Sequence, residues 1–134
     1  MIVAFIGFGE AGLAIAESLG QSAVATLSLR AFDIKLADEN DGMAETMLAR
    51  MSDAGVTPCD TAQGAVSGAG IVISVVTADQ AAKAAGSAAR HLAKDALYLD
   101  MNSCAPTTKQ MAASSVERAG ATYVDAAVMA PIQP

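Results

Sequence analysis

The hexapeptide Gly7-Phe8-Gly9-Glu10-Ala11-Gly12 limits what this chain can fold into more than any other feature. It fits G-x-G-x-x-G, and its context matters more than its letters. Residues 1–6 form an apolar run of strand length that stops at Gly7. From Glu10 onward, Leu13, Ile15, Ala16 and Leu19 recur at helical spacing, with Gly20 as the stop. In a strand-loop-helix unit each glycine has its own task. Gly7 makes the tight turn, Gly9 lets backbone approach a pyrophosphate without a Cβ in the way, and Gly12 lets the helix pack on the strand. The free N–H groups and the dipole at the helix N-terminus then attract the phosphates, so no lysine is required. Phe8 and Ala11 complete the loop. The Glu10 carboxylate would compete with phosphate unless it points to solvent.

Asp33 lies about 20 residues past the loop, at the expected end of the second strand, where a carboxylate can accept hydrogen bonds from ribose hydroxyls. The bland alternative is a tight turn with Asp33 as a strand cap; strand, helix and acid occurring together favour a dinucleotide site. The expected cofactor is NAD rather than NADP, because a 2′-phosphate would meet the like charge of Asp33 unless Arg30 or Lys35 offset it.

The remaining sequence alternates strand and helix patterns. Residues 24–32 read as a second strand and residues 38–42 as a polar loop. Met43, Met47, Leu48 and Met51 share one face of a second helix, a core stripe by default. A brief strand over 56–58 and a small helix over 61–67 follow. Residues 71–76 read as a fully buried strand, and 79–92 as an alanine-rich helix capped by Thr77 or Asp79. A fifth strand covers 98–101, Pro106 opens a helix that runs to about Arg118 and ends at Gly120, and 122–128 is the sixth strand. This pattern predicts an α/β fold with a Rossmann doubly wound parallel sheet of about six strands, helices on both faces and strand order 3-2-1-4-5-6. A single domain is expected over residues 1–134.

Composition removes other classes. Apolar residues make up 53% and charged residues 16%, which describes a globular chain rather than a disordered one. A net charge of -6 without any Lys/Arg cluster argues against nucleic acid as a partner. The N-terminal apolar run has no basic n-region, and the longest uncharged stretch, residues 64–78, is shorter than the roughly 20 residues that span a membrane. Cys59 and Cys104 form neither a metal pattern nor a disulfide framework. A soluble, cytoplasmic protein is expected, with no metal and no membrane contact.

Asp100-Met-Asn-Ser-Cys-Ala-Pro106 and Val124-Asp-Ala-Ala-Val128, taken in order with the glycine loop and Asp33, resemble the β-hydroxyacid dehydrogenase superfamily, which includes 6-phosphogluconate and 3-hydroxyisobutyrate dehydrogenases. The resemblance spans almost the whole chain. It implies an NAD(P)-dependent oxidoreductase moving hydride between a nicotinamide cofactor and a small hydroxy acid or related substrate, with a homodimer in the full-length protein. The family segment D-x-S-T-x-x-P sets polar residues against substrate and nicotinamide. Asn102 stands at its Ser position and Ser103 at its Thr position, which makes both substrate-binding candidates. An Asx-turn leading into the Pro106 helix is the alternative. Val76 and Thr77 match where the family places backbone beside the cofactor, and read equally well as a strand end and cap.

Departures from the family carry information too. Its D-x-P-V-S-G-G stretch is here Asp125-Ala-Ala-Val-Met-Ala-Pro131, without the Ser and glycines, which leaves substrate contacts there open. Family members continue into an all-helical domain that supplies a catalytic lysine, and Lys109 does not match that lysine's motif. No catalytic residue is assigned, and the chain reads as the cofactor half of a two-domain enzyme, inactive alone. The alternative is a non-catalytic NAD-binding or sensory domain, since fold and binding do not prove turnover. His91 reads as solvated and Cys104 as a small packing residue rather than a nucleophile.

Overall fold

The computed structural model describes residues 1–22, 26–37 and 42–127. Among them, six parallel strands form one sheet: β1 (Ile2–Ile6), β2 (Ser28–Phe32), β3 (Val56–Pro58), β4 (Ile71–Ser74), β5 (Leu97–Asp100) and β6 (Thr122–Asp125). Their spatial order is β3-β2-β1-β4-β5-β6, the expected doubly wound order, so its direction of growth reverses between β1 and β4. The helices are α1 (Glu10–Gly20), α2 (Met43–Asp53), α3 (Ala62–Val66), α4 (Ala81–Ala89) and α5 (Pro106–Arg118).

Side chains alternate across a strand, so the sheet divides its apolar residues between two cores. Val3, Phe5, Leu29, Ala31 and Ile73 meet Ala16 of α1 and Met47 and Met51 of α2. Ala4, Ile6, Val72 and Tyr98 meet Val66 of α3, Ala85 and Ala88 of α4, and Ala112 and Val116 of α5. Burial on both faces explains why β1 and β4 are nearly continuous apolar runs.

Several boundaries differ from the sequence reading. The second strand starts at Ser28 rather than residue 24; Val24 and Ala25 lie outside the described residues, as do residues 38–41 of the polar loop. β4 stops at Ser74, two residues early. The Val75 N–H still reaches the Ile6 carbonyl, but the Val76 N–H turns to the Asn102 side chain, which draws the backbone out of the sheet. The alanine-rich helix begins at Ala81 behind a 3-10 turn over Ala78–Gln80. Thr77 is the N-cap of that turn and Gln80 of the α-helix, both without a side-chain cap bond; Asp79 caps neither, and its carboxylate accepts from Gln80 Nε2 at 3.4 Å. β5 and β6 begin in register with Ile71, which pairs with Leu97 and through it with Thr122. β6 ends at Asp125, short of the expected Val128, which is itself outside the described residues.

The methionine stripe is only half buried. Met47 and Met51 are 4% and 0% exposed, whereas Met43 and Leu48 are 41% and 42% exposed, because α2 meets the sheet along a narrow i, i+4 seam. His91 is half-buried, not fully solvated, with its N–H closing the end of α4 on the Ala88 carbonyl.

Candidate functional site

The three glycines of the loop stand in three different environments. Gly7 has φ +89°, and a Cβ there would drive into the Val75 carbonyl, so the turn requires glycine. A Cβ on Gly12 would lie 3.1 Å from the Gly7 oxygen and 3.3 Å from the Phe8 ring, at the close approach of α1 to the loop. Gly9 is different: a Cβ there would meet nothing within 4 Å. Neither its backbone angle nor its neighbours demand glycine. An open cradle at this point fits a ligand that must approach backbone closely, as a pyrophosphate does.

The loop is held from beneath. Gly7 N–H donates to the Phe32 carbonyl at 2.8 Å, and Phe8 N–H donates to Asp33 Oδ2 at 2.7 Å. The Phe8 side chain is fully buried, edge-on to Phe5 with ring centroids 5.7 Å apart. Phe8 therefore anchors the loop, and its N–H is already used. With Gly9 as the N-cap, the N–H groups of Glu10, Ala11 and Gly12 belong to the first helical turn, where no intrahelical acceptor exists. The Glu10 side chain is exposed, which keeps its carboxylate in water.

Asp33 is 8% exposed and accepts two backbone bonds, the second from Lys35 N–H to Oδ1 at 2.9 Å. A carboxylate offers about four lone-pair positions, so acceptor capacity remains. Arg30 does not share its surroundings: the guanidinium turns to the Ser67 carbonyl at 3.1 Å and the Gly64 carbonyl at 3.4 Å. Lys35 and Lys83 are the cations beside a cleft of about 360 Å³ that is bounded by Gly7, Gly9, Asp33, Val76 and Thr77. This cleft opens at the carboxyl ends of β1, β2 and β4, over the reversal point of the sheet, where doubly wound folds bind their ligands.

A second cleft, of about 570 Å³, lies beyond the ends of β5 and β6. Asn102 joins the two. Its Oδ1 accepts from Val76 N–H at 2.6 Å, while Nδ2 donates to Ser74 Oγ at 2.9 Å and to Asp100 Oδ1 at 2.8 Å. Both amide hydrogens are thus committed, and Asn102 is only 5% exposed. Ser103, by contrast, is exposed along the second cleft. The sequence reading had kept Asn102 and Val76 separate; the fold ties them.

Lys109 was missed as part of this site. Its Nζ donates to the Asp100 carbonyl at 3.0 Å, to Asp100 Oδ1 at 3.2 Å and to Asp125 Oδ1 at 2.8 Å. Tyr123 OH donates to Asp100 Oδ2 at 2.7 Å, and Asp100 is fully buried. Burial pulls the Lys109 pKa down, but hydrogen bonds and charges from Asp125 and Asp100 outweigh it, so the ammonium titrates above its ordinary value. Burial, then the bond to Asp100, keeps the Tyr123 phenol protonated. Burial followed by the Asp100 charge raises the Cys104 thiol, which is no ready nucleophile. The available signal was positional: Asp100 and Asp125 pair at the ends of adjacent strands, and Lys109 lies one turn into the helix that Pro106 opens.

Among the described residues no group of three His, Cys, Asp or Glu is placed to hold a metal ion, and no helix is long and apolar enough to cross a membrane.

Residues 2–130 match the family model for the NAD binding domain of 6-phosphogluconate dehydrogenase. A conserved hypothetical protein from Sinorhizobium meliloti is 36% identical with TM-score 0.88, over 98% of this chain and 42% of its own. A conserved protein of unknown function, described as structurally similar to 3-hydroxyacid dehydrogenases, is 30% identical with TM-score 0.78, over 98% of this chain and 45% of its own. The 3-hydroxyisobutyrate dehydrogenase of Mycobacterium tuberculosis shares the fold at 22% identity and TM-score 0.81, over 98% of this chain and 41% of its own. The chain therefore spans about two fifths of the length of these relatives. No curated protein sequence matches it.

Proposed function

This chain belongs to the family of NAD binding domains of 6-phosphogluconate dehydrogenase, and we propose that it is the cofactor half of an oxidoreductase acting on a small hydroxy acid or related carbonyl compound. The observation that carries the reading is the contrast within the loop: the protein itself crowds Gly7 and Gly12, whereas a Cβ on Gly9 would meet only open space at the edge of the cleft. In this reading the backbone of Gly9, Glu10, Ala11 and Gly12 receives the pyrophosphate at the start of α1, with its unpaired N–H groups and dipole. Asp33 takes ribose hydroxyls with its remaining acceptor capacity. The backbone of Val76 and Thr77 flanks the nicotinamide end of the cleft. The bound cofactor supplies hydride chemistry at nicotinamide C4.

NAD is favoured over NADP because the Asp33 charge opposes a 2′-phosphate. Lys35 offsets it only in part, since its N–H, not its ammonium, is held by the Asp33 carboxylate. Asn102 is a positioning residue: its Oδ1 holds the Val76 N–H and thereby the backbone beside the cofactor. Ser103 is the group that faces substrate. A cytoplasmic setting fits two cysteines that stay free thiols.

Proton transfer must accompany hydride transfer, and Lys109 holds its proton too firmly, between two carboxylates, to act as the base. The 134 residues therefore bind cofactor without appreciable turnover. The test is a dinucleotide titration run beside a reduced-cofactor absorbance assay on short 2- and 3-hydroxy acids. Binding without turnover is expected. A folded chain that binds neither NAD nor NADP would overturn the reading, and rapid turnover by these residues alone would overturn the inactivity.

A further inference from the structure

Lys109 holds its proton too firmly to act as a base, yet its whole ammonium is turned inward. An ammonium has three donors, and here they meet the Asp100 carbonyl, Asp100 Oδ1 and Asp125 Oδ1. The Asp125 side chain is 62% exposed, so water screens that pair. Asp100 is different: its side chain is 1% exposed. A carboxylate buried this deeply needs charge and hydrogen bonds in place of its lost hydration. Lys109 supplies the charge. Tyr123 OH donates to Oδ2 at 2.7 Å, and Asn102 donates to Oδ1 from its N–H at 3.0 Å and from Nδ2 at 2.8 Å.

The carboxylate in turn decides which way the Asn102 amide points. Val76 N–H can only donate and an ionised Asp100 can only accept, so Oδ1 must face Val76 and Nδ2 must face Asp100. Ser74 Oγ, 2.9 Å from Nδ2, both donates and accepts and cannot make that choice. A neutral Asp100 could donate as well, and the amide would lose the group that orders it. A polar chain thus runs from α5 past the end of β5 to the backbone beyond β4, through Lys109, Asp100, Asn102 and Val76. Lys109 borders the second cleft and Val76 the first. We propose that Lys109 is a positioning residue for the nicotinamide half of the cofactor: by pairing with Asp100 it orients the Asn102 amide, which holds the Val76 N–H and the backbone beside the nicotinamide. The inference rests on the first cleft being a dinucleotide site, and it deepens that reading by giving the end of β4 a support outside that cleft.

ADP carries the adenosine ribose and the pyrophosphate but no nicotinamide riboside, so titrating NAD and ADP separates the two ends of the site. Lys109→Gln keeps a donor and removes the charge. It should weaken NAD about fivefold to tenfold, the scale of one lost hydrogen bond, and leave ADP within about twofold. Lys109→Arg, which keeps the charge, should restore most of the NAD affinity. Lys109→Gln added to Asn102→Ala should cause no further loss, because the lysine acts through the amide. Without cofactor, the Val76 amide proton in Lys109→Gln should shift upfield by NMR while the dispersion of the β1 and β2 amides is kept. Equal weakening of NAD and ADP, additive losses, or unchanged NAD affinity in a folded Lys109→Gln chain overturns the proposal. An unmodified chain that binds neither dinucleotide nor ADP overturns the cofactor reading and this proposal with it, whereas normal NAD binding with an unmoved NAD-to-ADP ratio overturns the positioning role alone.

Discussion

Asp33 holds the glycine loop: its Oδ2 accepts the Phe8 N–H at 2.7 Å across 25 residues of sequence, while Oδ1 accepts the Lys35 N–H two residues on. The carboxylate is therefore a strut of the loop, and in the proposed reading it is also the group that opposes a 2′-phosphate. Removing it exposes two backbone donors in a nearly buried position, a loss of about 1–3 kcal/mol. Asp33→Ala should lower stability by that amount in urea unfolding and should also reduce the preference for NAD over NADP. Unchanged stability would show that the strut is idle; unchanged preference would move cofactor choice to Lys35 or Lys83.

Two glycine substitutions should separate folding from binding. Gly7→Ala places a side chain at positive φ against the Val75 carbonyl, and strain of that kind costs about 1–3 kcal/mol before the clash is counted. Gly9→Val meets open space and should unfold at nearly the unmodified temperature. A thermal melt of both variants decides it, and a Gly9→Val protein as unstable as Gly7→Ala would contradict the open cradle.

Along α2 the cost of truncation should follow burial rather than residue type. Met51→Ala removes a fully buried side chain and should cost about 2–5 kcal/mol, whereas Met43→Ala, at 41% exposure, should fall within about 0.5 kcal/mol of the unmodified protein. Equal losses in denaturant titrations would mean that Met43 is covered in solution.

Alkaline pH should weaken the fold. Burial pushes the Tyr98 phenol up to about 12 from 10.0. A folded-state pKa raised above the unfolded value gives stability that is complete below pH 10 and is lost as pH rises toward 12. Tyr123 and Lys109 are shifted in the same direction and add to the loss. Urea unfolding at intervals from pH 8 upward should show a plateau, then a decline above pH 10, and Tyr98→Phe should shorten the decline. Among the described residues no hydrogen bond of good geometry holds the buried Tyr98 hydroxyl, whose polar neighbour is Ser74, so that variant should be no less stable at neutral pH. Stability that rises above pH 10 would reverse the assigned sign.

Much of this was legible in the residues themselves. The glycine loop and the Asp33 position are local signals, and strand order follows once crossovers are right-handed. Strand ends were harder, because pairing rather than pattern decides them. Val75 and Val76 read as strand by composition, yet the Asn102 amide, 26 residues away, turns Val76 out of the sheet. Lys109 escaped notice for the same reason: its partners Asp100 and Asp125 come from neighbouring strands, and no spacing along the chain joins them. Met43 and Leu48 were placed in the core because helical periodicity marks a face without saying how wide the contact will be.

The central claim is that the Gly7–Gly12 loop is a working dinucleotide site, and calorimetric titration of the chain and of Gly9→Val with NAD and NADP tests it most directly. The account predicts one saturable site that prefers NAD, weakened at least about tenfold, or about 1.4 kcal/mol, in a Gly9→Val protein that remains folded. Affinity unchanged by that substitution, or no binding of either dinucleotide by the folded chain, would contradict it.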